Sequence, residues 1–189
     1  DVAQLLKRRY ETFDEQKFIE LTKDRTFIES LGFRAPSLEG YLYPNTYSFQ
    51  PGMKEADMIK AMVDTFTRTM KSKLAELPSD SLSFHVHVIM ASLIEREARI
   101  DKDRPLIASV LFNRLAKGMR LDVDATVLYA LGSWNRKLTK DDLKIDSPYN
   151  TRKYKGLPPG PICSPRLASI LATYQAPSTK YLYYVYTGR

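Results

Sequence analysis

Between Ser147 and Pro165 the chain reads SPYNTRKYKGLPPGPICSP, a stretch holding five prolines and two glycines. Proline has no backbone donor and a fixed φ, so it breaks helices and is excluded from inner strands. The stretch must therefore be a long loop without regular structure, laid over elements that the rest of the chain supplies. Loops of that length inside compact domains usually carry function.

The supplied elements are mostly helices. Ile59, Met62, Val63, Phe66, Met70 and Leu74 recur at helical spacing, which predicts a long amphipathic helix over 55–77, broken by LPSDS. A second helix is predicted from about Ser83 to Ile100. Asp103 suits the N-cap of a third, with Pro105 tolerated in its first turn. Leu106, Val110, Leu111 and Leu115 would form its buried stripe, and Gly118 its stop. A short helix over 124–131 ends at Gly132, TKDDL (139–143) reads as a capped turn, and Ser164-Pro165 opens a last helix through about Gln175. Residues 1–31 read as short helices, with Phe18, Ile19 and Leu21 on one face. Residues 32–54, rich in Gly, Pro, Tyr and Ser, read as a structured loop with short extended pieces. KYLYYVY (180–186) is aromatic and β-prone, which predicts a strand. The sum is a helix-dominated α+β domain spanning 1–189, with short strands and long Pro/Gly-rich loops.

Composition narrows the function. With 43% hydrophobic and 27% charged residues in 189, the chain can bury a proper core and is not of disordered type. It begins on Asp1 rather than Met, so it is expected to be a piece of a longer protein. One cysteine, Cys163, excludes an internal disulfide and a multi-cysteine zinc site. His85 and His87 stand two apart, the wrong spacing for two metal ligands on one helical face. A Cys–His nucleophile pair has no support, and no G-x-S-x-G elbow, phosphate-binding loop or Rossmann fingerprint occurs. The net charge of +7 suits a nucleic acid, an anionic lipid or an acidic polymer such as cell wall, and equally a solvated basic surface. Tyr41–Tyr47 and Tyr181–Tyr186 could stack on sugars or bases, or simply pack.

The segment MASLIEREARI (90–100) poses a sharper question, because Glu95 and Glu97 cannot share a helix face. At about 100° per residue, Val86, Ile89, Met90, Leu93 and Ile100 form one arc. Glu97 falls near its middle; Glu95 falls on the far side, as a residue that faces solvent or supports the site from behind. A carboxyl on an apolar face must be paired, protonated or at a cleft edge. Two readings follow: a buried ion pair from Glu97 to Arg114 or Arg120, or a catalytic acid whose pKa burial has raised. Glu95→Gln should be nearly silent.

Four motifs and a tail then stand in one order: EGYLYPNTYSF (39–49), MASLIEREA (90–98), VLFNRLAKGMRLDVDATVLYALG (110–132), SPYNTRKYKGLPPGPICSP (147–165) and KYLYYV. Together they resemble the endolytic murein transglycosylase family of YceG-like proteins. Singly, NRL or LPPG is weak; in series the motifs are highly specific. The resemblance runs from about residue 38 to the C-terminus and is weaker over the helical lead-in, 1–37. It implies a lytic-transglycosylase catalytic domain that cleaves the β-1,4 bond between N-acetylmuramic acid and N-acetylglucosamine within glycan strands. The product is a 1,6-anhydromuramic end. The family's catalytic glutamate is the second in A-S-φ-φ-E-x-E, where φ is apolar, which here is Glu97. The chain departs from the family at Asp122-Val123-Asp124-Ala125-Thr126, where members commonly read Gln-Ser/Thr-Asp-Pro-Thr. Asp124 and Thr126 still match.

By the same resemblance, Ser92, Asn113, Arg114, Asp124, Thr126, Tyr149 and Asn150 are candidates for holding the sugar, Tyr149 and Asn150 foremost. No metal or cofactor is implied. A membrane helix and a LysM-like module are expected upstream, and a His-Thr-Phe segment and a last helix downstream. The implied location is the outer side of the cytoplasmic membrane. Glycan strands are the expected partner, with peptidoglycan synthases beside them, a role in ending strand elongation, and no nucleic acid. Three rival readings stand: a non-catalytic wall-binding module, a two-carboxylate muramidase with Asp122 or Asp124 as partner of Glu97, and, last, nucleic-acid binding, which rests only on the +7 charge and the tyrosines.

Overall fold

The computed structural model describes residues 2–75, 77 and 82–185. It divides into two compact units, Asp1–Glu76 and Leu77–Arg189, where a single domain was expected. The physical reason lies in the first unit, whose helices bury their apolar faces against one another. Residues 1–37 contribute Ala3, Phe13, Phe18 and Ile28 to the buried residues of that unit.

In the first unit, α1 (Val2–Arg9), α2 (Glu15–Leu21) and α3 (Arg25–Ser30) precede the long α4 (Glu55–Leu74). Asp14 and Asp24 cap α2 and α3 by accepting hydrogen bonds from Lys17 N and Phe27 N, which satisfies orphan donors of the first turn. Ile59, Met62, Val63, Phe66 and Met70 of the predicted α4 stripe are buried, with Met58 beside them and Leu74 half-buried; on α2 Phe18 is buried while Ile19, expected on the same face, is exposed. The 32–54 segment carries no helix or strand; its Tyr41 sets its ring edge-on to Phe66 at 5.3 Å. The predicted breaker LPSDS falls mostly outside the described residues.

The second unit holds α5 (Phe84–Glu97), α6 (Arg104–Ala116), α7 (Asp124–Ala130) and α8 (Leu167–Tyr174). Ser83 caps α5 through Val86 N. α5 contacts α6, α7 and α8, and every side chain from His87 to Ile94 is buried. A helix apolar all round is a central helix, without the wet face that the sequence reading assumed. It ends at Glu97, three residues before the predicted Ile100, because Ala98 turns extended (φ −75, ψ 124) into a 3-10 turn at Asp101–Asp103. In α6 the buried stripe is Ile107, Ala108, Val110 and Leu111; Leu106, expected inside, is 45% exposed. Gly118 (φ 62) stops α6 and Gly132 (φ 63) follows the end of α7, left-handed positions that glycine takes without strain. At TKDDL, Thr139 N and Oγ1 both donate to Asp142 Oδ2, capping a short 3-10 turn.

The 147–165 stretch is the expected irregular loop, pinned at several points. Ile162 N donates to Ser92 Oγ on α5 at 3.0 Å. Val123 N donates to Thr151 Oγ1 at 3.1 Å, beside the start of α7.

The predicted strand, 180–186, is a correction. Residues 181–185 form no strand, and no strand occurs among the described residues; Tyr186 lies outside them. A strand needs a neighbour to ladder with. Here α6 side chains take that place. Asn113 Nδ2 donates to Thr179 O and Tyr181 O, each at 2.9 Å, and Arg114 Nε donates to Leu182 O at 2.7 Å. The segment 179–185 is a strap, and among the described residues the fold is helix with long loops.

Candidate active site

Glu97 is the last residue of α5, where the chain leaves the helix. It is half-buried at the edge of a cleft of about 600 Å³ whose walls include Arg96, Ile100, Leu106, Tyr181, Tyr183 and Tyr184. Tyr184 Oη, carried on the strap, donates to Glu97 Oε2 at 2.9 Å. Burial pushes the Glu97 carboxyl above the ordinary carboxylate range. The Tyr184 hydrogen bond pulls it back; the nearby Asp124 charge pushes up again, and the Arg152 and Arg96 charges pull down. The net direction is upward, which keeps a proton on the group at higher pH. Tyr184 is itself raised, by burial and then by the charge of Glu97, so its phenol remains a donor.

The ion pair that the sequence allowed between Glu97 and Arg114 or Arg120 is not formed. Arg114 Nη1 instead donates to Asp122 Oδ2 at 3.1 Å and to Leu121 O at 3.0 Å. Arg120 also faces Asp122, at 3.8 Å.

Glu95 corrects the sequence reading most sharply. Its side chain is 13% exposed, not solvent-facing. Oε2 accepts from Ser169 Oγ (2.6 Å), Arg166 N (3.1 Å) and Arg104 Nη1 (3.3 Å), and Oε1 from Arg166 Nε (2.9 Å). Burial alone would raise this carboxyl, but the Ser169 and Arg166 hydrogen bonds and the Arg104 charge together hold it below its ordinary value. Glu95 remains an anion that ties α5 to α6 and α8. The two glutamates thus have opposite environments, which is how neighbouring carboxyls acquire different roles.

Of the seven residues that the resemblance put forward for sugar binding, most turn inward. Ser92 is fully buried, donates to Ile89 O and receives Ile162 N. Asn150 is fully buried; its amide donates to Leu143 O and Ile145 O while Oδ1 accepts from Arg152 N and Lys153 N. That uses the whole bonding capacity of the side chain to shape the loop. Thr126 is also fully buried, donating to Val123 O. Asn113 and Arg114 hold the strap. Asp124, the first residue of α7, is ion-paired with Arg152 and acts on Glu97 through its charge. Tyr149 packs against Tyr129, ring centres 4.7 Å apart, and its hydroxyl lies 3.0 Å from where a Cβ at residue 160 would stand, so a side chain there would have to push the Tyr149 hydroxyl aside by a few tenths of an ångström.

Sequence reasoning missed Tyr184, Arg152 and the Arg96 guanidinium stacked 4.1 Å over Trp134. For Tyr184 the signal was present: the aromatic run 181–186 reads as a strand and as rings that stack or pack, but nothing in it points to a hydroxyl on Glu97.

Residues 1–189 match the YceG-like family throughout. The endolytic murein transglycosylase of Bacillus subtilis (strain 168) is 39% identical over 188 residues, covering 92% of this chain and 52% of its own length. The endolytic murein transglycosylase of Streptococcus pneumoniae serotype 2 (strain D39) is 34% identical over 208 residues, covering 97% of this chain and 37% of its own. The crystal structure of a YceG-like protein from Listeria monocytogenes superposes with a TM-score of 0.86 at 36% identity, covering 98% of this chain and 67% of that one. The chain therefore spans about half, or less, of the curated relatives it matches.

Proposed function

The chain belongs to the YceG-like family, and on that premise we propose that it is the catalytic part of an endolytic peptidoglycan lytic transglycosylase. One observation carries the reading: the carboxyl of Glu97 is half-buried at a cleft edge, with its proton affinity raised and no cation paired to it among the described residues.

Glu97 donates its proton to the glycosidic oxygen as the bond from C1 of N-acetylmuramic acid breaks. The departing N-acetylglucosamine leaves with a free 4-hydroxyl. The C6 hydroxyl of the same muramic ring then attacks C1, and its proton goes to the Glu97 carboxylate. Atoms balance without water, and the enzyme returns to its starting state. The nucleophile belongs to the substrate, so the attack has the proximity advantage of an intramolecular reaction. One group serves first as acid and then as base, which requires a pKa closer to the operating pH than an exposed glutamate has. Arg152 and Arg96 ease the moment when Glu97 is charged.

The tyrosines of the strap line the cleft and suit sugar rings, and the +7 net charge suits a polymer bearing carboxylates. The wider reading is that the full-length protein is anchored in the cytoplasmic membrane with this part outside, working beside synthases to end strand elongation. That reading extends the likeness to the relatives.

Purified glycan strands and mass spectrometry of the products form the test. Anhydromuramic ends made by the native chain and lost in Glu97→Gln support the proposal. Reducing ends would instead make the protein a muramidase, with Asp122 or Asp124 as the partner of Glu97. Strands bound but uncut would make it a wall-binding module.

A further inference from the structure

We propose that Tyr184 is the positioning residue of the reaction: its hydroxyl holds one oxygen of Glu97 and thereby leaves the other to carry the transferable proton into the cleft. This inference rests on the reading of Glu97 given above. A free carboxyl at a helix end can rotate and can carry its proton on either oxygen, so only part of its population faces the substrate productively. The Tyr184 hydroxyl removes that freedom. It donates to Oε2 at 2.9 Å, so a proton on the carboxyl belongs on Oε1. Among the described residues Tyr184 is the one hydrogen-bond donor to this carboxyl.

The strap is built to keep the phenol in place. Three hydrogen bonds from two α6 residues fix the strap backbone over 179–182: Asn113 reaches Thr179 O and Tyr181 O, and Arg114 reaches Leu182 O. Ser109 Oγ meets Thr179 Oγ1 at 2.7 Å. The Arg114 guanidinium also lies 4.8 Å from the ring centre of Tyr183, the residue beside Tyr184. Buried Arg114 is thus tied both to the Leu121–Asp122 turn before α7 and to the strap, so the phenol is referred to the same framework that carries Glu97. Through the reaction the hydrogen bond works twice. It orients the acid at the start, and it stabilises the carboxylate formed once the proton has left, before the C6 hydroxyl returns one.

The test is Tyr184→Phe, which removes one oxygen and leaves the ring. Because the Tyr184 hydrogen bond lowers the pKa of Glu97, its loss moves that pKa up, and the alkaline limb of the pH–rate profile with it. kcat is expected to fall by about tenfold or more, the worth of a hydrogen bond to a charged group, while KM holds. The second readout is independent of turnover: NMR titration of the Glu97 side-chain carbon in the native chain and in Tyr184→Phe, each checked for unchanged melting. An upward move of the Glu97 titration together with a kcat loss at constant KM supports the proposal. An unmoved titration, or a loss confined to KM, overturns it. If the native chain makes no anhydro ends, the reading of the reaction falls, and the titration still decides whether Tyr184 holds Glu97.

Discussion

Replacing Glu95 with glutamine isolates the buried ion cluster, because the amide keeps the shape of the carboxylate and loses its charge. Arg104 is then left with a side chain 3% exposed and no full partner inside. Breaking one side of a buried pair typically costs about 3–5 kcal/mol. Two features push the value to the low end. Arg104 Nε keeps Asp101 at 2.9 Å, although that carboxylate is 76% exposed, and the Arg166 side chain, 60% exposed, loses little. A loss of about 3 kcal/mol follows, equivalent to a melting point lower by roughly 10 °C for a unit of this size. Trp134, the single tryptophan, lies in the second unit, so urea unfolding followed by its fluorescence reports on that unit alone. The pH dependence has a definite sign. The Glu95 carboxyl sits below its ordinary value when folded, so its contribution is present above the unfolded pKa and fades as pH falls through the folded one. Native and variant curves should therefore converge on acidification. A variant within about 0.5 kcal/mol of native at neutral pH, the range of ordinary surface changes, would refute the cluster's role.

Glu97→Gln should abolish cleavage yet unfold at the native urea concentration or slightly above it. A carboxyl whose folded pKa is raised stabilises below its unfolded pKa and loses that contribution as pH rises through the folded value, so at neutral pH its removal costs nothing. Asp124→Asn removes the charge that raises Glu97, so the alkaline limb of the pH–rate profile should move down while anhydro ends persist; a complete loss of product would point to a second catalytic carboxylate. Asn113→Ala frees the strap at Thr179 and Tyr181, and limited proteolysis between residues 179 and 185 should quicken by about tenfold with Trp134 fluorescence unchanged.

The legible parts of this chain are those set by local chemistry. The α4 stripe, the glycines that follow α6 and α7, and the irregular 147–165 loop need nothing beyond residue spacing and proline and glycine geometry. Glu97 was legible because an acidic residue on an apolar arc demands an explanation. Glu95 was not, since the arc argument supposes one dry and one wet face, and α5 is packed on both. Leu106 failed for the complementary reason: its stripe is shared with Ile107 and Ala108, and the cleft opens where it stands. Ser92, Thr126 and Asn150 show that a motif marks what must be kept, whether for chemistry or for the turns that frame it. The strap was misread because residues 181–185 look like a strand in isolation, and only α6 supplies what holds them.

The strap also imposes an order in time. Its contacts join residues 66 to 87 positions apart, the longest of them between Glu97 and Tyr184. A growing chain that has emerged through α8 already holds the four helices of the second unit, with Glu97 at the end of α5 but with nothing to orient it. The strap leaves the ribosome after the helices that hold it, so its contacts with Asn113, Arg114 and Glu97 can close only once residues 179–184 have emerged. Any product of interrupted translation ending before residue 179 therefore carries Glu97 without the hydrogen bond from Tyr184.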